Sequence, residues 1–100
     1  MSDDPTIERL RREISGVDRD ILGGVNARLE LVAQLKRHKE SLGISFVDPD
    51  RERELLDDLA RANGGPLSED GMRALFGALL ELTKREVAQG EESGVERGAE

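Results

Sequence analysis

Two cations of this chain occupy positions that a folded helix would bury. Ile7, Leu10, Ile14, Val17, Ile21, Val25, Leu29, Val32 and Leu35 recur at steps of three and four, the spacing of a helix that hides one stripe. At about 100° per residue, Arg28 and Lys39 project within about 20° of the centre of that stripe, and Arg11 lies at its border, about 80° away. Arg9, Arg12, Arg19 and Arg37 point well clear of it. A cation taken out of water requires an anionic partner. Such cations can hold a bound anion, Arg through a planar fork of donors and Lys as a point donor. Two structural readings stay open beside that one. The first is a buried salt bridge, with Glu52 or Glu81 as partner. The second is a long side chain that covers apolar surface while its head reaches water.

A second cluster of charge is VDPDRERE at 47–54. Asp48 followed by Pro49 is good chemistry for a helix start, since the side chain accepts from an early N–H and proline lacks the donor that would go unpaired. Asp48, Arg51 and Glu52 are spaced so that the same helix start could close over a charged small molecule. Asp50, Arg53 and Glu54 are expected to face water.

The elements that must position these groups are punctuated by prolines 5, 49 and 66. Asp4-Pro5 repeats the capping device of Asp48-Pro49. NGGP at 63–66 ends one element, and Ser68, with Glu69 and Asp70 behind it, opens another at the positive end of its dipole. The pattern predicts an all-α chain of three helices, about 5–42, 49–62 and 68–89, with a domain over 1–89 and a disordered acidic tail over 90–100. No strand-like alternation occurs. The first helix would be roughly 55 Å long. Two shorter helices of the same chain cannot cover such a stripe, whereas a long helix of an identical protomer could, which favours an intertwined homodimer. Gly23 and Gly24 interrupt that helix, at about 1 kcal/mol each relative to Ala. They are read as close helix approach or tolerated weakness rather than as a ligand site.

Composition closes off several function classes. A net charge of −7 argues against nucleic acid and anionic membrane as partners. Cysteine is absent and His38 is the only histidine, which argues against thiolate chemistry, a histidine metal site or a Ser/His relay. The start MSDDPTIE has no basic, then apolar, leader, so the expectation is a cytoplasmic protein without cofactor or metal.

Read in order, LRREISGVDRDIL, NARLELVAQLKRHKESLGISFVDPDRERELL and NGGPLSEDGMRALFGALLELTKREV resemble the all-helical class of chorismate mutase across residues 7–89. The ordered set carries the resemblance: L-R-x-x-I-x-x-x-D, an Arg ten residues on, a Lys eleven further, then D-P-x-R-E after a hinge. The resemblance implies an intertwined homodimer of three-helix protomers, with one very long N-terminal helix each, that converts chorismate to prephenate without a cofactor. It implies that Arg11 is donated across the dimer to a substrate carboxylate and that Arg28 clamps a carboxylate within its own protomer. Lys39 would hydrogen-bond the ether oxygen, and Arg51 would lie at the carboxylate end of the site. Asp48 and Glu52 would meet the ring hydroxyl, Asp48 partly through its backbone N–H. Thr83 matches a position where the family often has a small hydroxyl residue.

One position departs from the family pattern. Four residues after Thr83 the family usually has Gln or Glu as a second donor to the ether oxygen, and this chain has Val87. Glu86 or Gln89 could substitute, Glu86 only if protonated. Without a substitute, the loss of one such donor would slow the reaction by about 10²–10³. Val87 therefore keeps open a weakly active or regulatory subunit acting with the first shikimate-pathway synthase. Independently of Val87, a 4-amino-4-deoxychorismate mutase would need only altered contacts near Asp48 and Glu52.

Overall fold

The computed structural model describes the backbone of residues 4–98 and the side chains of residues 4–89. Three α-helices and no strand occur among the described residues: α1 (Pro5–Ser41), α2 (Pro49–Ala62) and α3 (Glu69–Gly98). The all-helical expectation and the helix starts hold closely. Only the end of α3 differs materially, since the helix runs past residue 89, where the apolar periodicity stops, to Gly98. It thus takes in most of the stretch expected to be a disordered tail. Once a helix is nucleated, each added residue gains a backbone hydrogen bond without needing a buried face.

Each helix start is closed by the group its sequence supplies. Asp4 Oδ1 accepts from Thr6 N at 2.8 Å and from Ile7 N at 3.3 Å, with Pro5 in the first turn. Asp48 Oδ1 accepts from Arg51 N at 3.1 Å, and Ser68 Oγ accepts from Gly71 N at 2.9 Å. These bonds satisfy N–H groups that have no partner inside the helix. The end of α1 is equally specific. Ile44 N donates to the Lys39 carbonyl at 2.9 Å and Gly43 N to the Glu40 carbonyl at 3.1 Å, while Gly43 adopts φ +71°. This is the Schellman closure, in which one left-handed residue satisfies the last carbonyls. After α2, Asn63 bridges the NGGP turn: its Nδ2 donates to the Leu67 carbonyl at 2.8 Å and its Oδ1 accepts from Gly65 N at 3.2 Å.

By its contacts the chain divides into two units, Met1–Leu31 and Val32–Glu100, with the boundary inside the continuous α1. From Pro5 onward the first unit is a single stretch of helix. Its stripe lies open, with Ile14 59% and Ile21 58% exposed, and a Cβ placed on Gly23 or Gly24 would meet nothing within 4 Å. Among the described residues, nothing in the single chain approaches those glycines closely. In the second unit α2 and α3 pack on each other. Met72, Thr83 and Val87, all on α3, are the buried residues among those described. Lys36 Nζ stands 5.8 Å from the centre of the Phe46 ring, a cation–π contact that ties the segment after α1 back to its last turns.

Candidate active site

The residues singled out by spacing fall into three groups. Arg11 and Arg28 lie on α1 in the first unit, Arg11 exposed and Arg28 half-buried. Lys39 occupies the closing turn of α1 and is half-buried, its carbonyl accepting from both Leu42 N and Ile44 N. The backbone that carries Lys39 is therefore fixed by the Schellman turn. No ion pair among the described residues involves the Lys39 side chain. Asp48 caps α2, Arg51 and Glu52 lie in its first turn, and Thr83 and Val87 lie one turn apart on the buried face of α3.

The structure gives several of these groups partners, the cap at Asp48 as expected from spacing and the others not. The Asp48 carboxylate serves as the cap of α2. Arg51 is exposed and its Nη1 donates to Glu54 at 3.4 Å, so at this turn the guanidinium shares its charge with a surface carboxylate. The Thr83 hydroxyl donates to the Leu79 carbonyl at 2.7 Å, the i−4 bond open to a helical threonine. Its one proton is thereby committed to the backbone.

Glu52 is the best-anchored of them. Its Oε1 accepts from Lys84 Nζ at 2.9 Å across the α2–α3 contact. Lys84 also reaches Glu81 at 3.4 Å within α3. The hydrogen bond from Lys84 to Glu52 holds the ammonium above its usual pKa range, against a smaller opposing effect of burial. Glu52 and Glu81, the two carboxylates considered as partners for cations of α1, thus converge on Lys84. Sequence spacing missed Lys84, although it directly follows Thr83, because only the register of α2 against α3 brings it to Glu52. A second interhelical pin, Arg73 Nη2 to Asp57 at 3.1 Å, secures the same two helices.

The candidates to replace the donor missing at Val87 fare differently. Val87 is 5% exposed, whereas Glu86 and Gln89 are exposed. On a helix, position 86 lies about 60° and position 89 about 120° from the direction of Thr83, while position 87 lies within about 40°. Neither shares the buried face that carries Thr83 and Val87.

Residues 10–87 match the family described as chorismate mutase type II. Among solved structures, form II of chorismate mutase from Thermus thermophilus is 32% identical, with a TM-score of 0.79, over 83% of this chain and 94% of that one. Form I of the same protein is 35% identical, with a TM-score of 0.76, over 78% of this chain and 98% of that one. The bifunctional chorismate mutase/prephenate dehydratase of Aquifex aeolicus strain VF5 is 29% identical over 87 residues, which is 79% of this chain and 24% of that protein. This chain therefore spans about a quarter of the length of that curated relative.

Proposed function

Since the chain belongs to the chorismate mutase type II family, we propose that it catalyses the rearrangement of chorismate to prephenate, as a cytoplasmic homodimer in the route to phenylalanine and tyrosine. The observation that carries the reading is Lys39, a half-buried cation on a rigid helix end without an ion pair among the described residues. A lysine in that state is suited to an incoming acceptor.

The reaction is an intramolecular [3,3] shift: the ether C–O bond breaks as a C–C bond forms, and no nucleophile or base takes part. What a protein can supply is a compact chair-like conformer and stabilisation of the charge that grows on the ether oxygen. Arg28, with Arg11 from the second protomer, holds the two carboxylates and so fixes the conformer. Arg51 contributes positive charge at the carboxylate end. Lys39 donates to the ether oxygen, where a preorganised donor is worth most because charge develops there during the step. Asp48 and Glu52 receive the ring hydroxyl, which orients the ring. Thr83 and Val87 line the side facing the ether.

Two chains are required by this reading. The open stripe of α1 is long, regular and apolar, and a second α1 is the simplest cover of matching length. The direct test follows the loss of chorismate absorbance, with prephenate verified by acid conversion to phenylpyruvate. Turnover is expected, and its absence, both alone and with the first synthase of the shikimate pathway present, would sink the reading. Val87 favours a second reading, a weakly active subunit that gains rate in complex with that synthase. Val87→Gln separates the two. If the missing donor limits the rate, the variant raises kcat by about 10–10², with a lower melting midpoint because a polar group enters a buried position. An unchanged kcat would show that position 87 does not face the ether oxygen.

A further inference from the structure

We infer that Lys84 is a positioning residue of the active site proposed above, fixing the Glu52 carboxylate on α2 to receive the ring hydroxyl of the substrate. The inference rests on that functional reading. Its basis is the 2.9 Å bond between Lys84 Nζ and Glu52 Oε1. Both partners are half-buried, with side chains 33% and 28% exposed. A charge-assisted bond is strong in that setting. The competing contact to Glu81 is longer, at 3.4 Å, and its carboxylate is 68% exposed, the kind of surface pair that contributes little.

The bond is not required merely to hold the helices together. Arg73 already joins α3 to α2 through Asp57, and a hydrogen bond of Arg73 to Glu69 steadies it further. Arg73 and its two partners lie outside the proposed site, whereas the Lys84 bond ends on a proposed site residue and starts beside buried Thr83. A dianionic substrate approaching a carboxylate also meets repulsion, and an ammonium on the far oxygen offsets it. It also removes rotamer freedom that Glu52 would otherwise lose on binding. The ring hydroxyl lies off the breaking bond, so its contact is equally strong in ground and transition states. The effect therefore falls on KM rather than kcat.

The test compares Lys84→Met, Lys84→Arg, Glu81→Gln and Glu52→Gln, with the double variant Lys84→Met/Glu52→Gln, in chorismate kinetics, thermal melts and gel filtration. Lys84→Met is expected to raise KM about tenfold with kcat within about twofold. Lys84→Arg should recover most of the loss, and Glu81→Gln should leave both constants unchanged. In the Glu52→Gln background, Lys84→Met should add less than about twofold, because its action passes through Glu52. A lowered melting midpoint with kcat and kcat/KM lost together would mark Lys84 as a helix pin and overturn the inference. So would a full tenfold rise in the Glu52→Gln background. Wild-type turnover with an unmoved KM in Lys84→Met overturns this inference alone, whereas an inactive wild type overturns the functional reading and takes this one with it.

Discussion

Lys39→Met is expected to lower kcat for chorismate by about 10²–10³, the usual cost of losing one preorganised donor to a developing oxyanion. Methionine keeps the length and apolar stem of lysine and removes only the charged head, so the fold has no reason to suffer. The closing turn of α1 uses the Lys39 carbonyl, and the substitution leaves that carbonyl in place. Because Lys39 is half-buried without an ion pair among the described residues, the melting midpoint should hold or rise. Loss of rate with unchanged or improved stability is the signature of a group kept for chemistry. Lys39→Arg should fall between the two, since its fork of donors cannot place one proton where the ammonium does. A kcat within about threefold of wild type in Lys39→Met would remove the oxyanion role.

The second large effect concerns the stripe of α1. A charge introduced at an exposed helix position usually moves stability by no more than about 0.5 kcal/mol. Ile14 and Ile21, more than half exposed in the single chain, would by that measure tolerate Asp. A second copy laid along the stripe reverses the expectation. Ile14→Asp or Ile21→Asp would then place an unpaired carboxylate in an apolar seam in each of two protomers, a change costing several kcal/mol. The expected result is loss of the dimer in analytical ultracentrifugation, with helicity and activity lost in parallel. Arg19→Glu, on the opposite face of the helix, should leave the dimer intact. A wild-type protein that sediments as a helical monomer would overturn the dimer, and with it the shared role of Arg11.

Much of the helical layout was legible because its determinants are local. Asp4, Asp48 and Ser68 cap within three residues of themselves, and prolines 5 and 49 state where a helix can begin, so the starts of α1, α2 and α3 follow from short windows of sequence. Lys39 was legible by a different route, since a cation at the period of an apolar stripe is visible before any fold is known. The partnership of Lys84 with Glu52 was not, because the two residues lie far apart in sequence and only the packing of α2 on α3 sets their register. Thr83 shows the same limit in small. Its place on the buried face could be read from spacing, but the donation of its proton to Leu79 depends on which rotamer the packed helix allows. The helix beyond residue 89 escaped for a third reason: periodicity detects burial, and backbone propagation can continue without it.

Gly43 has a consequence of another kind. A Cβ added there would meet nothing within 4 Å, so its surroundings leave room for a side chain. Its φ of +71° nevertheless lies where L side chains are disfavoured, and asparagine is the side chain best able to follow it there. The turn it permits returns two N–H groups to the end of the helix that carries Lys39. Vacancy around a residue and freedom to replace it are thus separate quantities. A screen that ranks positions by neighbouring atoms would pass over Gly43, the glycine whose loss would first disturb the setting of the proposed catalytic cation.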